Sequence, residues 1–158
     1  MKTLLYISFV FLLASSVIKT RVIDQKTILN EHNSIRQLLH IPPLEFSQEC
    51  ADFAQHWAEL LANKNRGLKH SNDNIYGENI YYKSEQATEK EVLDSWSSER
   101  KYFNKRSKKF TSKNGHYSQM VWSKTKYVGM GMAIAKDGSE YWVCTYYPPG
   151  NYYGEKAY

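Results

Sequence analysis

Residues 128–150 constrain the fold more tightly than any other part of this chain. Val128, Met130, Met132 and Ile134 alternate with Gly129, Gly131, Ala133 and Ala135, the period of two that belongs to a β-strand. Asp137-Gly138 supplies a hairpin turn, and Tyr141–Tyr146 returns as the partner strand until Pro148, Pro149 and Gly150 end it. The large residues suit one face to ordinary core contacts. The small residues leave the other face nearly flat, which lets a helix pack closely on it.

The upstream pattern is helical. Ile28, Leu29, Ile35, Leu38 and Leu39 gather on one face of a helix over 24–40, stopped by Pro42 and Pro43. Cys50, Phe53, Ala54, Trp57, Leu60 and Leu61 form the apolar stripe of a second helix over 47–63, with Ser47 as its N-cap. Residues 64–75 read as a polar loop carrying His70, and 77–82 as a short strand or extended segment. Val92, Leu93, Trp96 and Phe103 predict a third helix over 87–102. Residues 104–114 read as a basic loop, and a helical turn begins near His116. Helices followed by late antiparallel strands give an α+β domain. Periodicity fixes neither the strand order nor the number of helix layers.

At 158 residues, with 42% hydrophobic and 23% charged residues, the chain suits one globular domain and excludes a disordered polymer. Lys2, the apolar run Leu4–Ala14 and the small residues Ala14 and Ser16 read as a signal peptide over 1–16. The run is shorter than the roughly 20 residues a bilayer span needs. The mature chain is therefore expected to be exported and soluble. The formal charge of +5 includes Lys2. Cleavage would leave about +4, a weak preference for acidic partners that does not imply nucleic acid. No N-x-S/T sequon occurs. Cys50 and Cys144 are the two cysteines. Paired, they would close a loop of about 95 residues and contribute roughly 4–5 kcal/mol in the chain-entropy model. Two buried free thiols are the other reading, and the sequence leaves both open.

Of the five histidines, His40 and His56 read as solvated surface. His32 reads as a structural hydrogen-bonding group on the polar side of its helix. His70 and His116 each lie in a loop or turn near a candidate carboxylate. Imidazoles bind zinc or copper, and carboxylates can complete or orient such a site. The spacing is not that of a compact metal motif, however, and a His–Glu hydrogen-bond network that stiffens a cleft is the plainer alternative.

Four segments, in order, resemble those of the CAP superfamily of cysteine-rich secretory proteins, antigen 5 venom allergens and class 1 pathogenesis-related proteins. They are L-K-H-S at 68–71, G-E-N-I at 77–80, W-S-S-E at 96–99 and G-H-Y-S-Q-M-V-W at 115–122; Y-W-V-C-T-Y-Y-P-P-G-N at 141–151 resembles a second signature. The resemblance covers about 24–153, the domain, and leaves 154–158 as a short tail. It implies a three-layer α-β-α sandwich around a mainly antiparallel sheet. It also implies a cleft tetrad of His70, Glu78, Glu99 and His116, with a divalent metal such as zinc held through His70 and His116. H-N-S-I-R at 32–36 departs from the family pattern at Ser34, and Thr145 stands where a larger polar residue is usual. Two cysteines are fewer than secreted members commonly carry, and roles tied to a cysteine-rich extension are not expected.

The family resemblance implies binding of a sterol, a fatty acid or an acidic lipid, or action as an extracellular effector, without enzymatic activity. Lys105, Arg106, Lys108 and Lys109 sit in a stretch, 100–113, that lacks acids, and Tyr117 adds an aromatic. They are candidate contacts for anionic head groups or a membrane surface; a solvated charged loop is the plainer reading. The competing function is a metal-dependent hydrolase using the His/Glu cleft. Ser118 beside His116 does not make a triad without geometry, and Cys144 in an apolar strand reads as an inert thiol.

Overall fold

A computed structural model describes residues 21–64 and 67–158, so the signal peptide expected over 1–16 lies outside the described residues. In chain order the elements are α1 (Gln25–Leu38), β1 (Glu45–Phe46), α2 (Gln48–Lys64), β2 (Gly77–Lys83), α3 (Glu89–Ser97), a 3₁₀ segment (Ser98–Tyr102), α4 (Gly115–Met120), β3 (Tyr127–Ile134) and β4 (Glu140–Tyr147). Side-chain oxygens start the three long helices. Asp24 accepts from the Lys26 amide at 3.0 Å, Ser47 from the Cys50 amide at 3.2 Å and Thr88 from the Glu91 amide at 3.2 Å. Each satisfies a donor that has no partner inside the helix.

The sheet order is β1-β3-β4-β2. The β3/β4 and β4/β2 pairs are antiparallel, and only the two-residue β1 runs parallel, to β3. Alternation then sorts the side chains. Ala133, Tyr141 and Val143 join Ala54, Ala58 and Leu61 of α2 on one face. Val128, Met130, Met132, Trp142, Cys144 and Tyr146 join Ile28 of α1, Val92 and Trp96 of α3 and Met120 of α4 on the other. The result is a three-layer α-β-α sandwich with a mainly antiparallel sheet. The flat face of β3 receives α2 through Ala51, Ala54, Ala58 and Ala62, all buried, while Phe53, Trp57 and Leu60 are only half-buried. The apolar stripe of α2 is thus rotated towards its alanines, because the approach is close enough to exclude larger side chains.

The buried face expected for α1 is corrected, and the alternative left open for the two cysteines is decided. His32, read on the polar side of α1, is fully buried together with Arg36, whereas Leu38, read on the apolar face, is 74% exposed. Arg36 donates to the carbonyls of Pro42, Met120, Trp122 and Thr125 at 2.7–3.2 Å, tying α1 to the end of α4. Burial pulls its guanidinium down to about 10. Cys50 and Cys144 are free buried thiols. Thr145, next to Cys144, turns to the α2 side and bonds the Cys50 carbonyl at 2.8 Å, so Cys144 points into the opposite layer and no bridge forms. The expected tail at 154–158 is packed: Ala157 is buried, its carbonyl accepts from the Ser123 amide, and Tyr158 stacks on Phe103.

Candidate functional site

Glu99 ends up in the site because α3 tightens into its 3₁₀ segment just before it. There it meets the start of α4. The amides of His116 and Tyr117 donate to one Glu99 oxygen at 2.8 and 3.2 Å, and His116 Nδ1 meets the other at 2.7 Å. Helix-start amides lack backbone acceptors, so a carboxylate there is doubly favoured, by hydrogen bonds and by the helix dipole. Burial by itself raises the Glu99 carboxyl; the His116 hydrogen bond and charge and the two amides outweigh it and hold the group below its ordinary range. Trp96, one turn back in α3, stacks on the His116 ring at 5.9 Å.

Glu78 comes from β2. Its side chain is 4% exposed and accepts from the Ser71 amide at 3.1 Å, from the Ser71 hydroxyl, and from His70 Nδ1 at 2.9 Å. The loop before it is anchored by the Trp57 indole, which donates to the Lys69 carbonyl at 2.9 Å. The His70 side chain is 66% exposed.

Both His–Glu pairs line one cleft of about 800 Å³, with Asn79, Gln119 and Tyr152 among its other walls. Polar side chains share its wall with Tyr76, Phe110 and Pro149. An ionised carboxylate only accepts, so each Nδ1 carries the proton, and a neutral ring then presents its lone pair at Nε2. This suits a cation: a carboxylate on one ring nitrogen raises the basicity of the other. Among the described residues no three His, Cys, Asp or Glu side chains converge as metal ligands. A closed structural site is therefore not formed among them, and a divalent cation would have His70 and His116 as its protein ligands, with water completing its shell.

Sequence reasoning missed the residue beneath the cleft. Asn79 donates to the His116 carbonyl and to the Tyr146 hydroxyl, both at 3.1 Å, and that hydroxyl meets His32 Nε2 at 2.9 Å. A buried polar chain thus runs from α1 to the cleft histidine. Its signal was present in G-E-N-I, whose asparagine falls one strand position from Glu78 and so faces the other layer. Other candidates fall outside the cleft. Tyr117, expected to contact a ligand, is 1% exposed and packs edge-on against Phe103. Lys105, Arg106 and Lys109 are exposed and Lys108 half-buried, and none of the four lines the cleft. Ser118 is buried, its hydroxyl bonded to Gly115 and Asn151, and Cys144 is buried in the core.

Residues 29–146 match the family described as CAP, the cysteine-rich secretory protein family. The chain belongs to this family. It is 42% identical over 131 residues to the human Golgi-associated plant pathogenesis-related protein 1, covering 81% of this chain and 84% of that one. Among solved structures it is similar to BmVAL-1, with a TM-score of 0.73, 27% identity and coverage of 87% and 84%. It is also similar to the crystal structure of NaASP2 with Zn2+, with a TM-score of 0.71, 25% identity and coverage of 85% and 84%. The three-layer sandwich is thus a CAP fold, and the cleft lies within the matched span.

Proposed function

We propose that this CAP protein is an exported, non-enzymatic binding protein whose ligand is an acidic lipid. The carrying observation is the company that the basic loop keeps. Lys101 lies over the Tyr102 ring at 5.0 Å and Lys108 over the Tyr158 ring at 4.2 Å, while Lys109 pairs with Lys156 across a β-bridge. Tyr153, 86% exposed, rests on Phe110. Tyrosines beside cations suit the head-group layer of a bilayer, where the ring sits at the interface and the cation meets lipid phosphate. Each cation near an anionic surface contributes about 1 kcal/mol, so Lys105, Arg106, Lys108 and Lys109 together supply about 4 kcal/mol. Alongside, Ile35, Leu38 and Leu39 of α1 form a groove of about 220 Å³ with Arg100 among its walls. That groove supports a fatty acid as the second lipid class: an apolar wall for the chain and a cation for the carboxylate.

Co-sedimentation with vesicles tests this. The protein should pellet with vesicles containing an acidic lipid and stay in solution with neutral ones. Replacing Lys105, Arg106, Lys108 and Lys109 by Gln should abolish pelleting. Equal partition to both vesicle types, or pelleting unchanged in the quadruple variant, would refute the reading. Release is the expectation from the N-terminal apolar run. The name of the human relative places that protein at the Golgi, and assay of medium against cell fractions separates release from retention.

A second reading concerns the cleft, because a similar protein was crystallised with Zn2+. His70 and His116 would hold the cation, with Glu78 and Glu99 fixing their rings. A bound divalent ion would supply Lewis acidity and an acidified water. Neither Ser118 nor Cys144 can serve as a nucleophile there, which weighs against hydrolysis. Equilibrium dialysis against zinc, with His70→Ala and His116→Ala as controls, tests binding, and a panel of peptide substrates tests turnover.

A further inference from the structure

Tyr76 belongs to the wall of two cavities. The second, of about 550 Å³, lies where β1, the first turn of α2 and the ends of β3 and β4 meet. Its aromatic residues are Phe46, Tyr76, Tyr127 and Tyr147, with Ile75 at the rim. Tyr127 and Tyr147 are direct cross-strand partners, and Tyr76 meets Tyr147 edge-on at 6.1 Å. Phe46, Ile75, Tyr127 and Tyr147 are 36–57% exposed. Large apolar groups scattered singly over a surface need no explanation, but a gathering of them around a cavity does.

Glu49 also lines this cavity. Its carboxylate has no hydrogen-bond or ion-pair partner among the described residues, although the chain carries a net charge of +5. Burial raises the Tyr76 phenol, and the charges of Cys50, Glu49 and Asp73 raise it further, so the negative field reaches into the aromatic wall. An unpaired carboxylate repels anions and loses hydration against a neutral apolar ligand. One carboxylate among rings is a poor ligand set for a bare metal ion. Aromatic faces and a single negative charge are together suited to a soft organic cation.

We propose that this cavity is a binding site for a small organic ammonium ion, with its alkylated nitrogen against the tyrosine rings and its charge answered by Glu49. The site is separate from the basic face and shares only the Tyr76 wall with the His/Glu cleft. Calorimetric titration with choline should show saturable binding, and 3,3-dimethyl-1-butanol, its uncharged isostere, should bind at least about tenfold more weakly. Glu49→Gln and Tyr147→Leu should each weaken choline about five- to tenfold, whereas Tyr153→Leu, on the basic face, should leave it unchanged. The variant with residues 105–109 neutralised should also bind choline normally, which separates this site from the lipid reading. Equal affinity for the neutral isostere would overturn the proposal. So would undiminished binding in Glu49→Gln with its circular dichroism intact, or binding to phosphatidylcholine vesicles but not to free choline.

Discussion

Replacing Gly131 by Ala tests the central packing argument. A methyl built there would sit 2.1 Å from the Gln55 nitrogen, 2.3 Å from the Gln55 Cα and 2.5 Å from the Ala54 carbonyl carbon. Every near atom is backbone of α2, so no rotamer change relieves the clash. Ordinary carbon contacts lie at about 3.5–4.0 Å, which requires α2 to withdraw by more than about 1 Å. A gap of that size forfeits about a quarter to a half of the dispersion energy along the face, here the one carrying Ala54, Ala58, Leu61 and Val143. Overpacking costs about 1–3 kcal/mol where neighbours can adjust. With a rigid helix backbone opposite, about 3–4 kcal/mol is expected, out of a typical total of about 5–15. Thermal unfolding should fall by about 10 °C for a domain of this size. Gly138→Ala is the control. Its φ is +88° with open space around it, so only backbone strain of about 1 kcal/mol applies. Urea unfolding of the two variants measures both costs. If Gly131→Ala were no more destabilised than Gly138→Ala, the close-approach argument would be wrong.

Burial lowers His32 to about 4 from 6.5, so the unfolded chain binds the proton first. Its contribution is complete above pH 6.5 and is lost as pH falls to 4, about 3 kcal/mol in all. Glu99, whose pKa is lowered on folding, contributes above its ordinary range and loses that contribution only at lower pH. Stability measured from pH 7 to 3 should therefore fall in two stages, and His32→Gln should flatten the upper one while leaving the lower. Gln55 bonds both the amide and the carbonyl of Met132 at 3.1 and 3.0 Å, acting as a surrogate strand on the edge of β3. Gln55→Ala should cost about 2 kcal/mol and speed hydrogen exchange at the Met132 amide. Because Cys50 and Cys144 are unpaired, reductant should move the thermal midpoint by less than about 2 °C.

The hairpin was legible because a strict period of two and an Asp-Gly turn leave few alternatives. The glycines at 129 and 131 even announced the neighbouring helix. Polar residues misled where partners come from far along the chain. The hydrogen-bonding role read for His32 holds, but the helix pattern sets it on a polar side, and the partners that bury it and Arg36 lie 114 and 84–89 residues away. The third helix, expected over 87–102, gives way to a 3₁₀ segment at Ser98 because propensity ignores local competition. Ser97 and Ser98 hydroxyls bond back to the Asp94 and Ser95 carbonyls, and the helix tightens there. The two-residue β1 is too short for any periodicity. The His–Glu pairs are separated by 8 and 17 residues and match no compact motif. Proximity in the chain suggests a His–Glu network, and the family resemblance is what assembles all four residues into one cleft.

The two cleft histidines are held with unequal force, and this follows from what each carboxylate is itself attached to. Glu99 is fixed by two α4 amides, His116 is stacked on the buried Trp96, and the His116 carbonyl is tied through Asn79 and Tyr146 to His32 in the core. Moving His116 would break a chain of buried hydrogen bonds. Glu78 is the more buried of the two carboxylates, but His70 stands on an exposed loop with that carboxylate as its side-chain partner and Trp57 anchoring the preceding carbonyl. Opening there exposes little apolar surface, so its free-energy cost is low. The expected consequence is that amides of 69–75 exchange faster than those of 118–121. Trp57→Phe, which keeps an aromatic ring but drops the anchoring N–H, should quicken the first set and leave the second unchanged. Exchange rising equally in both would mean that the cleft walls move as one body, contrary to the separate anchoring of its two sides.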